Sequence, residues 1–321
     1  MNERRKLLIT RKLSDATEAR AKRDYDVSAN PDDHVFSPEE LLERAQGMDA
    51  VLPCHSERFS AEIMAKLPKS VKIIANHSVG TDHCDLKACK AAGVVVTNTP
   101  DVLSDATAEI AMLLMLGAAR RASEGDRMMR AGAWDFWSPA FMVGTQTTGK
   151  RFGVVGMGRV GQVAARRARG FDMEVHYHNR SRLAPDLEQG AIYHATLEDL
   201  LAHSDVLSLH CPATADSIDL INAERIALLP DGAIVVNTAR GALIDEDALI
   251  AALKSGKLAA AGLDVFKTEP GGNPKFAELE NVFMLPHIGS ATRDTRDAMG
   301  FRALDNLDAF FAGREPGDRV A

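Results

Sequence analysis

The sequence predicts an α/β protein of two domains, each built on a parallel β-sheet. Short apolar runs typical of buried strands, such as AVLPC (50–54) and AIVVN (233–237), alternate with helical patterns along the chain. The chain has 321 residues, which exceeds the length at which one hydrophobic core usually stops growing. The alternation is interrupted after residue 100 and restarts at Arg151, so two domains are expected.

The first hundred residues predict a small, flavodoxin-like α/β unit. Ser37 is a helix N-cap followed by Pro38 in the first turn, a typical helix start. An apolar helix is expected from Asp105 to Arg121, leading into the second domain. The predicted strands and helices of the first unit are KLLIT, SPEELLERAQ, AVLPC, SAEIMAKLP, KIIANHSVG, KACKAAG and VVVTNTP.

The segment from Arg151 predicts a doubly wound sheet that binds a dinucleotide. Strand and helix patterns alternate six times here, which is typical of such sheets. A helix pair is expected over residues 290–313. The strand and helix segments are RFGVVG, the helix from Arg159, MEVHYHN, TLEDLLAHSD, VLSLHC, ERIALLP, AIVVN, DEDALIAALKSG, AAAGLDVF and NVFMLP.

Composition excludes several classes of protein. The net charge is −7, and there is no long Lys/Arg block, which argues against nucleic-acid binding. No apolar run approaches the roughly 18 residues of a membrane span. Four cysteines without framework spacing indicate a reducing compartment, so a cytoplasmic protein is expected. His83, Cys84 and Cys89 lack a second ligand pair, and no metal site is predicted.

Three residues in the C-terminal half predict the chemistry. Arg240, Glu269 and His287 each follow an apolar run that reads as a strand. A parallel sheet presents such residues at its carboxyl edge, where ligands bind. A guanidinium can hold a carboxylate, and an acid beside a histidine can keep the imidazole protonated. This set is suited to moving a proton to or from a carbonyl oxygen.

A glycine-rich turn predicts the dinucleotide site. Gly156, Gly158 and Gly161 follow the strand RFGVV and open a helix, whose N-terminus favours a pyrophosphate. Met157, Arg159 and Val160 complete this turn.

The end of the second strand predicts which dinucleotide binds. Sites selective for NAD place an acid there, whereas this chain has Asn179, Arg180, Ser181 and Arg182. Two guanidiniums and a hydroxyl suit a 2′-phosphate. NADPH is therefore the expected cofactor and NADH a weaker alternative. The alternative is that both arginines are ordinary exposed residues of a surface loop and bind no ligand.

Five segments together resemble the D-2-hydroxyacid dehydrogenase family, most closely its NADPH-dependent glyoxylate/hydroxypyruvate reductases. They are SVGTDHCDLKACKAAGVVVTNTPDVLSDATAE, RFGVVGMGRVGQVAARRARGFDMEV, NTARGALIDEDAL, AAGLDVFKTEP and LPHIGSAT. The resemblance implies a reductase of small 2-oxo acids with His287 as proton donor and Arg240 on the substrate carboxylate. It implies further cofactor contacts at Thr107, Cys211, Pro212, Asp216, Thr238, Ala239, Arg240, Asp264, His287, Gly289 and Ser290.

The resemblance also implies that the 290–313 segment returns to the first domain, so the predicted domains are 1–100 with 288–321, and 101–287. It implies a substrate wall as well. The apolar 134–141 segment and the 105–121 helix predict a homodimer. Val79 and Gly80 match a loop that offers backbone amides to substrate, and Leu52 is expected nearby. Trp137 and Phe141 lie in a Trp-rich loop that in such reductases reaches the neighbouring subunit, although Phe141 stands where a tryptophan is usual. Packing in the dimer interface alone is an equal alternative for this loop.

Two rival functions stay open at this point. One is a D-3-phosphoglycerate or D-lactate-type dehydrogenase. The other is a dinucleotide-sensing binding protein, since such proteins can retain the same trio of residues.

Overall fold

The computed structural model describes residues 4–321. The chain divides into two compact units. The first comprises the described residues up to Leu103 together with Ala291–Ala321, and the second covers Ser104–Ser290. The sequence-based boundaries are 100/101 and 287/288, each within three residues of these.

The first unit contains a five-stranded parallel sheet in the order β2-β1-β3-β4-β5. This is the flavodoxin-like strand order. Leu8 contributes to the core on one face of the sheet, and Leu7 and Ile9 to the core on the other. Its elements are β1 (Lys6–Ile9), α1 (Asp15–Asp24), β2 (Asp26–Ser28), α2 (Pro38–Arg44), β3 (Ala50–Leu52), α3 (Ala61–Lys66), β4 (Ile73–Ala75), α4 (Leu86–Ala91) and β5 (Val95–Thr97).

The second unit contains a seven-stranded parallel sheet in the order β12-β11-β10-β9-β6-β7-β8. This is the doubly wound Rossmann arrangement. Val154 and Val155 face opposite cores, so both faces of the sheet are covered. Its elements are α5 (Ser104–Ala119), α6 (Ala122–Arg130), β6 (Arg151–Val155), α7 (Arg159–Arg169), β7 (Glu174–His178), α8 (Pro185–Glu188), β8 (Ile192–Tyr193), α9 (Leu197–Ala202), β9 (Val206–Leu209), α10 (Ala223–Leu228), β10 (Ala233–Asn237), α11 (Glu246–Ser255), β11 (Leu258–Leu263) and β12 (Val282–Met284).

The predicted helix pair over residues 290–313 is wrong. One helix, α12 (Arg293–Phe311), occupies this segment within the first unit. Gly300 does not break it: a Cβ there would lie 2.1 Å from Thr17 Oγ1, so the glycine permits close packing of α12 on α1. No helix among residues 4–321 is long and apolar enough to span a membrane.

Candidate active site

Arg240, Glu269 and His287 lie on loops that leave the same edge of the second sheet. Their loops follow β10, β11 and β12, which are consecutive neighbours in the parallel sheet. Gly241 brings two of the loops into contact, because a Cβ there would lie 1.9 Å from the Phe266 carbonyl carbon. The Arg240 turn is thus packed against the segment that leads to Glu269.

Glu269 orients the His287 ring. The His287 Nδ1 lies 2.6 Å from Glu269 Oε2, and the other carboxylate oxygen accepts a hydrogen bond from the Phe266 backbone N–H at 2.8 Å. The ionised carboxylate can only accept, so Nδ1 carries the shared proton and Nε2 points away from Glu269. Both side chains are partly exposed, at 33% for His287 and 26% for Glu269. This pairing suits a histidine that exchanges protons with a bound molecule.

The backbone of His287 is held in an unusual conformation by Asp264. His287 has φ 53°, in the left-handed region, and its N–H donates to the Asp264 carbonyl at 2.8 Å. The Asp264 carboxylate accepts from the backbone N–H groups of Ile288 and Gly289 at 2.8 and 2.7 Å. Burial raises the pKa of the Asp264 carboxyl. Asp264 therefore acts here as a strand-end cap that holds the His287 loop.

The turn that carries Arg240 is fixed by Asn237. The Asn237 side chain donates to the Arg240 carbonyl at 2.8 Å and accepts from the Ala239 N–H at 3.0 Å. The Arg240 Nη1 donates to the Ala239 carbonyl at 2.7 Å. Asn237 is fully buried. This buried amide bonds both to a carbonyl and to an N–H of the turn, so it fixes the backbone from which the guanidinium extends.

The glycine turn has the close contacts that its spacing predicts. Gly156 has φ 93°, and a Cβ there would lie 2.6 Å from the Cys211 backbone nitrogen. A Cβ at Gly161 would lie 2.3 Å from the Gly156 carbonyl oxygen, so α7 packs directly on the turn. Gly158 is the N-cap of α7, and a Cβ there would meet no atom of residues 4–321 within 4 Å. A pyrophosphate could approach the backbone at this point.

The loop after β7 binds the glycine turn and holds one of its own arginines. Asn179 Oδ1 accepts from the Met157 N–H at 2.7 Å. Arg182 forms a bidentate pair with Glu188 at 2.7 and 3.0 Å, and Tyr177 donates to the same carboxylate at 2.6 Å. The Arg182 guanidinium and the Tyr177 hydroxyl lower the pKa of Glu188 to about 2. Arg180 is exposed, and no acceptor for its guanidinium is seen in the part of the chain that the structure describes.

The remaining predicted cofactor residues all lie in the second unit. Thr107, Asp264 and Gly289 lie together, since a Cβ at Gly289 would approach both of the other side chains within 3.5 Å. Cys211 lies against Gly156. The others occupy loops or helix starts of the same unit: Arg159, Val160, Pro212, Asp216, Thr238, Ala239 and Ser290, with Ser181 exposed beside Arg180.

The predicted substrate residues of the first unit lie at the carboxyl edge of its sheet. Leu52 ends β3 and is buried. Val79 and Gly80 follow the adjacent strand β4. The Val79 carbonyl accepts from the Asn98 amide at 2.8 Å, and the Gly80 carbonyl accepts from Ser78 Oγ at 2.7 Å. With both carbonyls held, the loop has a defined shape.

The Trp-rich segment is exposed in the single chain. Trp137 is 75% exposed, the highest value among the large apolar side chains of residues 4–321. The Phe136 and Phe141 rings form an edge contact with centroids 4.8 Å apart. Sequence reasoning did not identify Asn237, Tyr177 or Glu188 as supports of the site; only the position of Asn237 in NTARG was a usable signal.

The fold and the site define a class of enzyme. A doubly wound parallel sheet, a glycine-rich turn at the start of α7 and a histidine–carboxylate pair at the same edge are the parts of a dinucleotide-dependent dehydrogenase. The chain belongs to the D-isomer specific 2-hydroxyacid dehydrogenase family, whose NAD binding domain matches residues 112–289.

Full-length relatives agree with this family. The chain is 44% identical over 314 residues to a glycerate dehydrogenase from Hyphomicrobium methylovorum, covering 97% of this chain and 98% of that protein. It is 42% identical over 319 residues to a glyoxylate reductase from Thermococcus kodakarensis, covering 98% and 95%.

Solved structures share the fold. An NADPH-dependent glyoxylate/hydroxypyruvate reductase from Sinorhizobium meliloti, in complex with NADP and malonate, superposes with a TM-score of 0.88 at 30% identity over 99% of this chain and 97% of that one. A glyoxylate reductase from Paecilomyes thermophila gives a TM-score of 0.89 at 36% identity over 100% and 99%.

Proposed function

We propose that this protein is an NADPH-preferring reductase of small 2-oxo acids, glyoxylate or hydroxypyruvate, in which His287 donates the proton. The 2.6 Å contact between His287 Nδ1 and Glu269 Oε2 carries the proposal. It supplies an oriented imidazole whose Nδ1 is held by a carboxylate and whose Nε2 is left to face a ligand. Relatives named glycerate dehydrogenase and glyoxylate reductase point to the same substrate class.

Each residue of the trio has a separate task in this proposal. When bound, the nicotinamide cofactor supplies a hydride to the carbonyl carbon of the 2-oxo acid. Arg240 binds the substrate carboxylate with two N–H groups and polarises the ketone oxygen. His287 passes its proton from Nε2 to that oxygen, and Glu269 stabilises the imidazolium before transfer.

The preference for NADPH is assigned to Arg180 and Ser181. Asn179 carries no negative charge, and its side-chain oxygen already accepts a hydrogen bond from the Met157 N–H. Arg182 already forms a bidentate pair with Glu188. Arg180 is therefore the guanidinium that we assign to a 2′-phosphate. The bound NADP of the Sinorhizobium meliloti reductase is consistent with this choice.

We also assign the protein to the cytoplasm and to a homodimer. The four cysteines are free thiols in the structure, as a reducing compartment requires. The exposed tryptophans of the 134–141 segment supply the dimer surface.

A panel of 2-oxo acids assayed with both cofactors tests the function. Glyoxylate and hydroxypyruvate should oxidise NADPH with the highest kcat/KM, ahead of pyruvate and 3-phosphohydroxypyruvate. A preference for 3-phosphohydroxypyruvate would favour a phosphoglycerate-type enzyme instead. Tight NADPH binding without turnover of any of the four acids would favour the dinucleotide-sensing alternative.

A further inference from the structure

Three histidines and two carboxylates form a cluster around β7, β8 and α9, which no step of the proposed reaction uses. The His176 Nδ1 lies 2.8 Å from His194 Nε2, and His176 Nε2 lies 2.7 Å from Glu174 Oε1. The His194 Nδ1 lies 2.7 Å from Asp199 Oδ2. The His203 Nδ1 lies 2.8 Å from the Asp199 carbonyl and 3.6 Å from its Oδ1.

The inner part of this cluster is a row of three contacts between Glu174, His176, His194 and Asp199. Each contact needs one N–H donor, whereas two neutral imidazoles carry two N–H groups and ionised carboxylates carry none. Either a third proton or a cation at one contact completes the row.

We propose that His194, Asp199 and His203 bind one divalent transition-metal ion of the zinc type. One nitrogen or oxygen from each residue lies within 4.8 Å of the other two. Tetrahedral zinc at its usual bond lengths separates its ligand atoms by about 3.3 Å. The His194 Nδ1–Asp199 Oδ2 separation is 2.7 Å. The His203 Nδ1 donates to the Asp199 carbonyl at 2.8 Å, so the His203 ring has to rotate to offer the ion a nitrogen.

His176 and Glu174 support this metal site through hydrogen bonds. With the ion on His194 Nδ1, the His194 Nε2–H donates to His176 Nδ1, and the His176 Nε2–H donates to Glu174. All donors and acceptors in the row are then matched. A carboxylate–histidine–histidine–metal chain is the arrangement that fixes the tautomer and raises the basicity of a ligating imidazole.

The burial and charge of these residues suit a divalent ion of intermediate softness that keeps one coordination position open to water. His176 and His194 are 4% and 6% exposed, whereas the side chains of Asp199 and His203 are 54% and 45% exposed. An ion can therefore enter from solvent, and water completes the coordination. Two imidazoles with one carboxylate favour zinc, cobalt or nickel over magnesium or calcium. This differs from the sequence prediction of no metal site, which considered only His83 and the cysteines.

Binding of zinc and cobalt to the chelator-treated full-length protein tests the proposal. Calorimetry should show one zinc ion per chain, and cobalt should give the visible absorption of a tetrahedral site. Asp199→Asn and His203→Asn, both at exposed positions, should each weaken zinc binding at least ~10-fold, and Glu174→Gln by about 10- to 100-fold. His34→Asn removes an exposed histidine that also contacts a carboxylate, Glu40, and should leave zinc affinity unchanged.

Two results would overturn the proposal. One is the absence of zinc and cobalt binding to the wild-type protein, which would leave the cluster as a hydrogen-bonded support of the fold. The other is zinc affinity that falls in His287→Asn but not in His203→Asn, because the ion would then be bound by the catalytic pair. Circular dichroism of each variant confirms that loss of binding is not loss of fold.

Discussion

Two carboxylates determine the state of His287, and they act on different parts of it. Asp264 binds the backbone that follows the histidine and holds it at φ 53°. A non-glycine residue in the left-handed region costs of order 1 kcal/mol or more, and such residues concentrate at functional sites. Glu269 contacts the ring and selects Nδ1 as its donor. Position and protonation of the imidazole can therefore be altered separately by mutation.

His287→Ala should remove most of the reductase activity and leave NADPH binding nearly unchanged. The imidazole acts on the substrate oxygen in the transition state, and a positioned general acid contributes about 10²- to 10⁴-fold. Steady-state kinetics with glyoxylate and fluorescence titration with NADPH measure the two effects. A variant with near-normal kcat would contradict the proposed mechanism.

Glu269→Gln should keep substantial activity but move the pH optimum of reduction to lower pH. The amide still contacts the ring, yet the negative charge that favours the protonated imidazole is lost. The pH–rate profile of kcat/KM for the variant is compared with that of the wild type. Superimposable profiles would show that the 2.6 Å contact is only structural.

His77 makes the stability of the first unit depend on pH. It is 6% exposed, its Nε2 lies 3.2 Å from the Arg296 carbonyl, and burial lowers its pKa to about 4. Between pH 6.5 and 4 the unfolded chain binds this proton and the folded chain does not, so stability falls as the pH is lowered.

The free energy of unfolding should therefore lose about 2 kcal/mol through His77 between roughly pH 7 and pH 5. His77→Gln keeps a side-chain N–H donor but cannot titrate. Urea denaturation at both pH values should show a smaller loss in the variant than in the wild type. Equal losses in the two proteins would mean that His77 is already protonated in the folded state.

At the scale of whole elements, the loop between β7 and α8 places its two arginines in different surroundings. Tyr177, Glu188 and Arg182 form one hydrogen-bonded group that fixes the loop. Arg180 projects from this support. A loop held in this way can present one guanidinium to a ligand with little loss of entropy.

Arg180→Ala should lower kcat/KM for NADPH roughly ten- to a hundred-fold and leave that for NADH nearly unchanged, because one charge-assisted contact to phosphate is lost. Combining it with Asn179→Asp should turn the preference toward NADH. Arg182→Ala is the matched control: it loosens the loop and should affect both cofactors alike. A wild-type protein that uses NADH as well as NADPH would contradict this assignment.

The same loop shows how far sequence alone could reach. The strand–turn–helix around Gly156 is local, so its glycine spacing predicted the turn correctly. The partners of Arg182 could not be predicted, because Glu188 reaches it only after β7 and α8 have folded together. Likewise the contact of Gly300 with Thr17 becomes visible only when α12 packs on α1. Local sequence patterns predicted the helices and strands. Packing between those elements decided which side chains were held in hydrogen bonds and ion pairs.

For the whole molecule, we predict assembly from the exposed apolar residues of the 129–143 segment. Met129, Trp134, Phe136, Trp137 and Val143 are 51–75% exposed in the single chain. A monomer rarely leaves so many large apolar side chains together in solvent, and aromatic residues are enriched in interface centres. A two-fold dimer would bury this surface on both chains at once.

Light scattering at micromolar concentration should therefore give the mass of a dimer for the wild type. Phe136→Ser combined with Trp137→Ser should give a monomer, because both changes remove exposed apolar area from this segment. Leu228→Ser, at a leucine that is 44% exposed on α10, is the control and should stay dimeric.

If the segment also forms part of a neighbouring subunit's substrate wall, the double variant should raise the KM for glyoxylate more than it lowers kcat. Unchanged kinetics in a monomeric variant would restrict the tryptophans to the interface, and a monomeric wild type would contradict the assembly itself.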